Sequence, residues 1–227
     1  MGFVVAVDGP AGSGKGTITK IVADKMDLVS IDTGAMYRCV ALEMINRNVT
    51  MDELDKIKVI LEEIKIELKK ENDMPKVYLN GEDVSREIRT EKVTKLVSPV
   101  SKIKEVREKL THWQREMGQN QNIIMEGRDI GTTVFPNADV KIYLDAKPEE
   151  RARRRFKQNQ EEGITGMTYE EILENVKQRD FNDSHREIAP LRKAEDAILV
   201  DSTNMPIDEV VQTIIEIIKE VKAWKKY

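Results

Sequence analysis

Apolar residues fall in five short runs separated by longer stretches with helical spacing. The runs are FVVAV (3–7), LVSI (28–31), NIIM (122–125), VKIYL (140–144) and AILV (197–200). Runs that are apolar on both faces suit buried strands of a parallel sheet better than strands with one wet face. Between them the spacing predicts helices over 14–26 and 34–47. A helix over 51–64 carries Met51, Leu54, Ile57, Leu61 and Ile64 on one face, and Thr50 with Glu53 makes a capping-box pattern at its start. Another over 102–117 carries Ile103, Val106, Leu110, Trp113 and Met117, with Gly118 as its stop. Helices are also predicted over 148–159 from Pro148, over 169–181 behind a Thr168/Glu171 box, and over 206–223 from Pro206.

This alternation implies an α/β fold: an open parallel sheet of about five strands with helices on both faces. Residues 64–89 break the rhythm. There IKIEL, ENDMP, KVYL and the pair Asn80–Gly81 alternate around turn residues. That is a hairpin pattern, so a small antiparallel insert is expected. No internal repeat or low-complexity linker stands out, and the C-terminal KAWKKY reads as a solvated tail.

Composition narrows the function. The 227 residues suit one domain with a modest insertion, and 34% charged with 40% hydrophobic residues is ordinary for a soluble protein. A net charge of −4 gives no bulk attraction to nucleic acid or an anionic membrane, so a bound anion must be drawn by local Arg and Lys. Few aromatics argue against a base-stacking platform. Cys39 stands alone, which excludes an intrachain disulfide and a four-Cys zinc site, and it reads as a buried, inert thiol. MGFVVAVDGP lacks a basic leader region, and no apolar stretch approaches the roughly 18 residues of a membrane span. The expected address is the cytoplasm, without nucleic-acid or membrane partners.

The first strand runs into GPAGSGKGT, residues 9–17, with Gly9, Gly14 and Lys15 at the Walker A spacing between a strand and a helix. Glycines let backbone amides turn into an anion nest, the helix N-terminus adds its dipole, and Lys15 reaches the β- and γ-phosphates. Gly9, Pro10, Ala11, Gly12, Ser13, Gly14, Lys15, Gly16 and Thr17 form the expected ATP loop. Gly16 stands where Ser or Thr is usual, so Thr17 becomes the candidate for Mg²⁺, directly or through water. The bland alternative is a glycine-rich turn with a chance lysine.

Four further stretches, DTGAMYR (32–38), GEDVSREIRT (81–90), EGRDIGTTVFPNA (126–138) and RDFNDSHREIAPL (179–191), join this loop. Together they resemble cytidylate kinases of the bacterial type, among the P-loop nucleoside monophosphate kinases, over essentially the whole chain and in the same order. The resemblance implies a single kinase domain with a core at 1–33, 101–150 and 190–227, an acceptor-binding region with the insert at about 34–100, and a lid at about 151–168. It implies a monomer that phosphorylates CMP, and also dCMP, from Mg²⁺-bound ATP. By motif match, Arg38 beside Thr33 binds the acceptor phosphate, and Ser98, Arg107 and Asp129 read cytosine. Arg128 matches a second phosphate arginine, Arg179 and Asp183 positions near the ribose hydroxyls, and Arg186 an arginine close to the phosphates. Lys15, Arg128 and Arg186 are the implied catalytic cations. Asn182 stands where relatives often have another arginine.

Each assignment has a local rival. Taken without its motif, Arg38 reads as a solvated helical arginine, and Asp129 has a rival reading as the partner of Arg128 or a turn cap. Arg151, Arg153, Arg154 and Arg155 make a basic run of the kind that usually marks a solvated face. Arg151, Arg154 and Arg155 share one side at i, i+3 and i+4, with Arg154 the expected ATP contact, and KQNQEEGITG (157–166) reads as a flexible lid. His112 and His185 lie in no ligand-spaced cluster. Two rival activities remain open: a P-loop kinase for another nucleotide or metabolite, and a switch-type nucleotide binder, for which an NKxD motif is missing.

Overall fold

The computed structural model describes residues 2–71, 74–119, 121–161, 163 and 166–224. In chain order the first half holds β1 (Val4–Asp8), α1 (Lys15–Met26), β2 (Val29–Asp32), α2 (Thr33–Asn46), α3 (Leu54–Glu63), β3 (Ile66–Glu71), β4 (Met74–Leu79), β5 (Glu82–Asp83), α4 (Glu91–Val100) and α5 (Lys104–Met117). The second half holds β6 (Ile123–Gly127), β7 (Val140–Asp145), α6 (Pro148–Glu161), α7 (Tyr169–Ser184), β8 (Ile198–Asp201) and α8 (Ile207–Trp224). The chain divides into two compact units, residues 1–30 with 118–227, and residues 31–117. The region expected at 34–100 lies inside the second unit, which also takes in α5.

The five apolar runs are the five strands of the main sheet, in the order β2-β6-β1-β7-β8. β1 pairs in parallel with β6 and β7, and β7 with β8. In the first unit, Val5, Val7, Ile124, Ile142 and Leu144 pack with Ile18 and Val22 of α1 and Val211, Ile214 and Ile218 of α8. Each large aliphatic removed from water contributes about 1.5–3 kcal/mol, which holds the strand ends that carry the site in register.

The second unit gathers α2 to α5 around Met36, Met44, Ile57, Ile60, Ile88 and Leu110. The expected insert is the antiparallel sheet β3-β4-β5, and its first turn, at 72–73, lies outside the described residues. α4 is not among the helices predicted from the sequence. Its buried residues Val93, Val97 and Val100 have helical spacing, but Pro99 in the last turn hides it.

Several expectations are corrected. α3 begins at Leu54, and its capping box is only half made: Glu53 Oε2 accepts from Thr50 N at 2.9 Å, while Thr50 Oγ1 donates to Asp52 at 2.6 Å. Glu53 N donates to the Thr50 carbonyl at 3.3 Å, not to the hydroxyl that a full box needs as its acceptor. The Thr168/Glu171 box is complete. Gly118 does not end α5 through left-handed backbone; a Cβ there would lie 2.6 Å from Phe135 Cζ, so closeness to the ring requires the glycine. The proposed flexible stretch 157–166 is helical to Glu161, with 162, 164 and 165 outside the described residues. Of the supposed C-terminal tail, 222–224 continue α8 and 225–227 lie outside the described residues. Among the described residues, no helix is long and apolar enough to cross a membrane.

Candidate active site

β1 delivers the chain directly into the phosphate loop. Gly9 has φ 151°, and a Cβ on it would meet Leu144 O of β7 at 2.0 Å, so only glycine passes this close to the sheet. Gly14, at φ 93°, caps the start of α1. Lys15 is buried and curls back on the loop, donating from Nζ to Gly9 O at 2.9 Å, Pro10 O at 2.7 Å and Ser13 Oγ at 3.3 Å. Burial, with Arg128 and more weakly Arg179 beside it, pulls its pKa down to about 7, against Glu126 and Asp8. Thr17 is exposed on the first turn of α1.

Two carboxylates absent from the sequence expectations stand beside the loop. Asp8, the last residue of β1, accepts from Ile130 N and Gly131 N, both at 2.7 Å. It thereby ties the phosphate loop to the wide turn Ile130–Val134 that follows Asp129. Burial pushes its pKa up to about 6 despite those two amide bonds. Glu126, on β6, places Oε1 3.0 Å from where a Cβ on Gly16 would sit. A side chain at 16 would therefore need that carboxylate to give way by a few tenths of an ångström. A charged residue at or next to the end of an otherwise apolar strand was the available signal for both.

Two ion pairs join the strand ends to α7 and the loop after it. Arg128 Nε donates to Asp183 Oδ2 at 2.8 Å, and Arg186 Nη2 to Asp129 Oδ1 at 3.0 Å. Asp129 therefore pairs with Arg186, not with Arg128 as its local rival supposed. Burial works to raise the Asp183 carboxyl, but Arg128, Arg179 and Arg186 hold it below the ordinary range. Arg186 Nε also donates to Ala189 O at 2.6 Å. Arg179 is half-buried on α7, near enough for Lys15 to feel its charge.

The basic run on α6 splits. Arg151 is buried, which overturns its reading as part of a solvated face, and its Nη1 donates to Ala11 O of the loop at 3.0 Å. Arg154 is tied to Glu150 at 2.9 Å, Ser202 O at 2.5 Å and, more loosely, Ser13 O at 3.4 Å. Arg153 pairs with Glu150, and Arg155 is exposed beside Gln158.

The second unit holds Thr33, Arg38, Ser98 and Arg107. Thr33 is buried at the start of α2, where the Asp32 carboxylate accepts from Ala35 N at 3.1 Å. Arg38 is not solvated: its Nη1 donates to Ile88 O at 3.0 Å and Thr94 Oγ1 at 2.8 Å. Arg107 is buried, donates to Ser101 O at 3.2 Å, and lies 5.6 Å from the Tyr37 ring centroid. Ser101 Oγ in turn donates to Ser98 O at 2.8 Å, so one serine fixes both expected base-reading positions of this unit. Buried Cys39 is unreactive, its thiol pushed up to about 12 by burial and then Asp32.

In the first unit, Arg128 and Arg179 thus stand near Lys15 of the glycine loop, and Arg186 joins them around Asp183, a setting for polyphosphate. No group of three or more His, Cys, Asp or Glu suited to a metal occurs among the described residues.

A family model described as cytidylate kinase matches residues 5–220. The chain is 48% identical over 217 residues to a cytidylate kinase of Caldicellulosiruptor saccharolyticus, covering 96% of each. It is 44% identical over 216 residues to one of Bacillus subtilis, covering 95% of this chain and 96% of the relative. Among solved structures, an uncharacterized protein from Eubacterium ventriosum aligns with TM-score 0.53 at 12% identity, over 97% of this chain and 99% of that one, a likeness of fold alone. A family match over residues 5–220, which include every candidate residue described above, is decisive: the chain belongs to the cytidylate kinase family.

Proposed function

We propose that this protein transfers the γ-phosphoryl group of ATP to the phosphate of CMP, and of dCMP, in a single in-line step. The observation that carries the reading is the phosphate loop with buried Lys15 beside the Arg128–Asp183 and Arg186–Asp129 pairs, in a chain of this family. Lys15 exchanges the carbonyls of Gly9 and Pro10 for the β- and γ-phosphates and, with Arg128 and Arg186, neutralises charge on the moving group. Arg38, beside Thr33, holds the acceptor phosphate. Ser98, Arg107 and Asp129 read cytosine, and Arg179 and Asp183 serve the ribose.

No general base is needed, because the attacking atom is a phosphate oxygen whose second pKa is about 6. Guanidinium forks match such oxygens bidentately, which favours Arg over Lys on the acceptor side. The family's chemistry uses Mg²⁺, and the residues fit an ion that arrives on ATP: Thr17 offers one exposed hydroxyl, and no carboxylate cluster competes for the metal among the described residues. Bound there, Mg²⁺ would neutralise phosphate charge. We assign 34–100 to acceptor binding and 151–168 to closure over ATP, which excludes water as a competing acceptor. The protein acts as a cytoplasmic monomer without nucleic-acid or membrane partners.

Coupled ADP release against CMP, dCMP, UMP, AMP and GMP tests the reading. CMP is expected to give the highest kcat/KM, with dCMP also used. A higher value for AMP or GMP would overturn it.

A further inference from the structure

Arg151 is the most completely committed cation on α6. Its side chain is 2% exposed. Nε donates to Ala146 O at the end of β7 at 2.7 Å, while Nη1 and Nη2 grip both oxygens of Asp180 on α7, at 3.0 and 2.5 Å. The same Nη1 reaches Ala11 O at the crown of the phosphate loop, at 3.0 Å. The helix lies close on the loop there, because a Cβ on Gly12 would come within 3.3 Å of Arg151 Cβ.

A trans peptide points its C=O and the following N–H in opposite directions. No cis peptide occurs among the described residues. A guanidinium that holds Ala11 O toward α6 therefore turns Gly12 N–H away from α6. Gly12, at φ 79°, takes the left-handed conformation that an anion nest uses. With every arm of its guanidinium engaged by protein, Arg151 is not placed to bind ATP itself.

We propose that Arg151, held by Asp180, is a positioning residue that sets the Ala11–Gly12 peptide so that Gly12 N–H faces the nucleotide phosphates. Asp180 then acts on ATP binding only through Arg151. This depends on residues 9–17 being the ATP loop, as proposed above. A plain structural ion pair would instead support the α6–α7 packing and leave nucleotide affinity alone.

Calorimetric titration with the Mg²⁺ complex of a non-hydrolysable ATP analogue, and separately with CMP, distinguishes the two, alongside Tm. The variants are Arg151→Lys, the near-isosteric Asp180→Asn, their combination, and Lys15→Ala as control. Both single variants should weaken the ATP analogue about tenfold, the scale for a residue that orients a ligand group rather than being one, and leave CMP affinity within about twofold. The combination should be little worse than the weaker single variant, because both act on one peptide. Should the fold tolerate only Asp180→Asn, that variant alone decides. Lowered Tm with unchanged ATP affinity, or equal losses for ATP and CMP, overturns the proposal. If the wild type binds no ATP, the loop reading itself fails; if wild type binds, Lys15→Ala binds weakly and the Asp180 and Arg151 variants bind as wild type, only the positioning role fails.

Discussion

Arg186 and Asp129 form a buried ion pair, Nη2 to Oδ1 at 3.0 Å, with side-chain exposures of 4% and 7%. On the proposed assignment, the carboxylate that reads cytosine is held by an arginine that serves the phosphates, which would couple base reading to charge neutralisation. Cytosine offers an amine that Asp129 can accept from, whereas uracil puts a carbonyl there.

Asp129→Ala should therefore harm CMP more than UMP, narrowing their kcat/KM ratio, since a site built for a donor can reject an analogue lacking it by up to roughly 10⁴-fold. Arg186→Ala should also narrow the ratio and destabilise the fold by about 3–5 kcal/mol, because it strands a buried charge. Combining the two should cost less stability than the sum, read by urea unfolding. An unchanged CMP:UMP ratio in Asp129→Ala would remove Asp129 from base recognition.

Lys15→Ala should lower kcat by at least about a hundredfold, the scale of one preorganised charge at the transferring group. Thermal stability should hold, since the variant removes a cation whose burial disfavours its charged form. Near-normal turnover in a folded variant would contradict the role of the loop.

The lowered pKa of Lys15 gives a pH signature. Its folded value of about 7 lies below the usual 10.5, so the folded chain binds fewer protons than the unfolded chain between those values. Lys15 therefore adds stability as pH rises through that window, the reverse of a lysine in a favourable ion pair. ATP phosphates favour the charged form, so binding at pH 8 should take up close to one proton per site. Calorimetry in buffers of different ionisation enthalpy reads this number, and Lys15→Ala should abolish it. Binding without uptake in the wild type would show that Lys15 is already fully charged.

Gly16→Ser restores the usual Walker A residue, yet its Cβ would stand 3.0 Å from Glu126 Oε1 and must move that carboxylate. Turnover is expected to fall, roughly tenfold, because small displacements at a phosphate site are amplified in rate. A steady-state kcat equal to or above wild type would show that Glu126 yields freely.

The sheet and loop were legible because their signals are local: apolar runs of strand length, and glycines at fixed offsets before Lys15. Other features depend on contacts distant in sequence. Asp8 meets Ile130 and Gly131 only because β1 lies beside β6, and Arg151 meets Ala11 only because α6 covers the loop. A basic run with i, i+4 acids looks solvated by any local rule. α4 escaped because Pro99 breaks the pattern, although Ser101 N still bonds Val97 O at 3.0 Å and closes the turn. At Thr50, the Glu53 amide turned to the Thr50 carbonyl and not to the hydroxyl that the pattern assigned to a cap.

Direct transfer to CMP is tested by following the label of γ-³²P-ATP when ATP, Mg²⁺ and CMP are mixed with excess enzyme and the products separated. The label should pass to CDP, with little inorganic phosphate and no transfer when CMP is omitted. Label released as inorganic phosphate at the same rate with or without CMP would contradict the account.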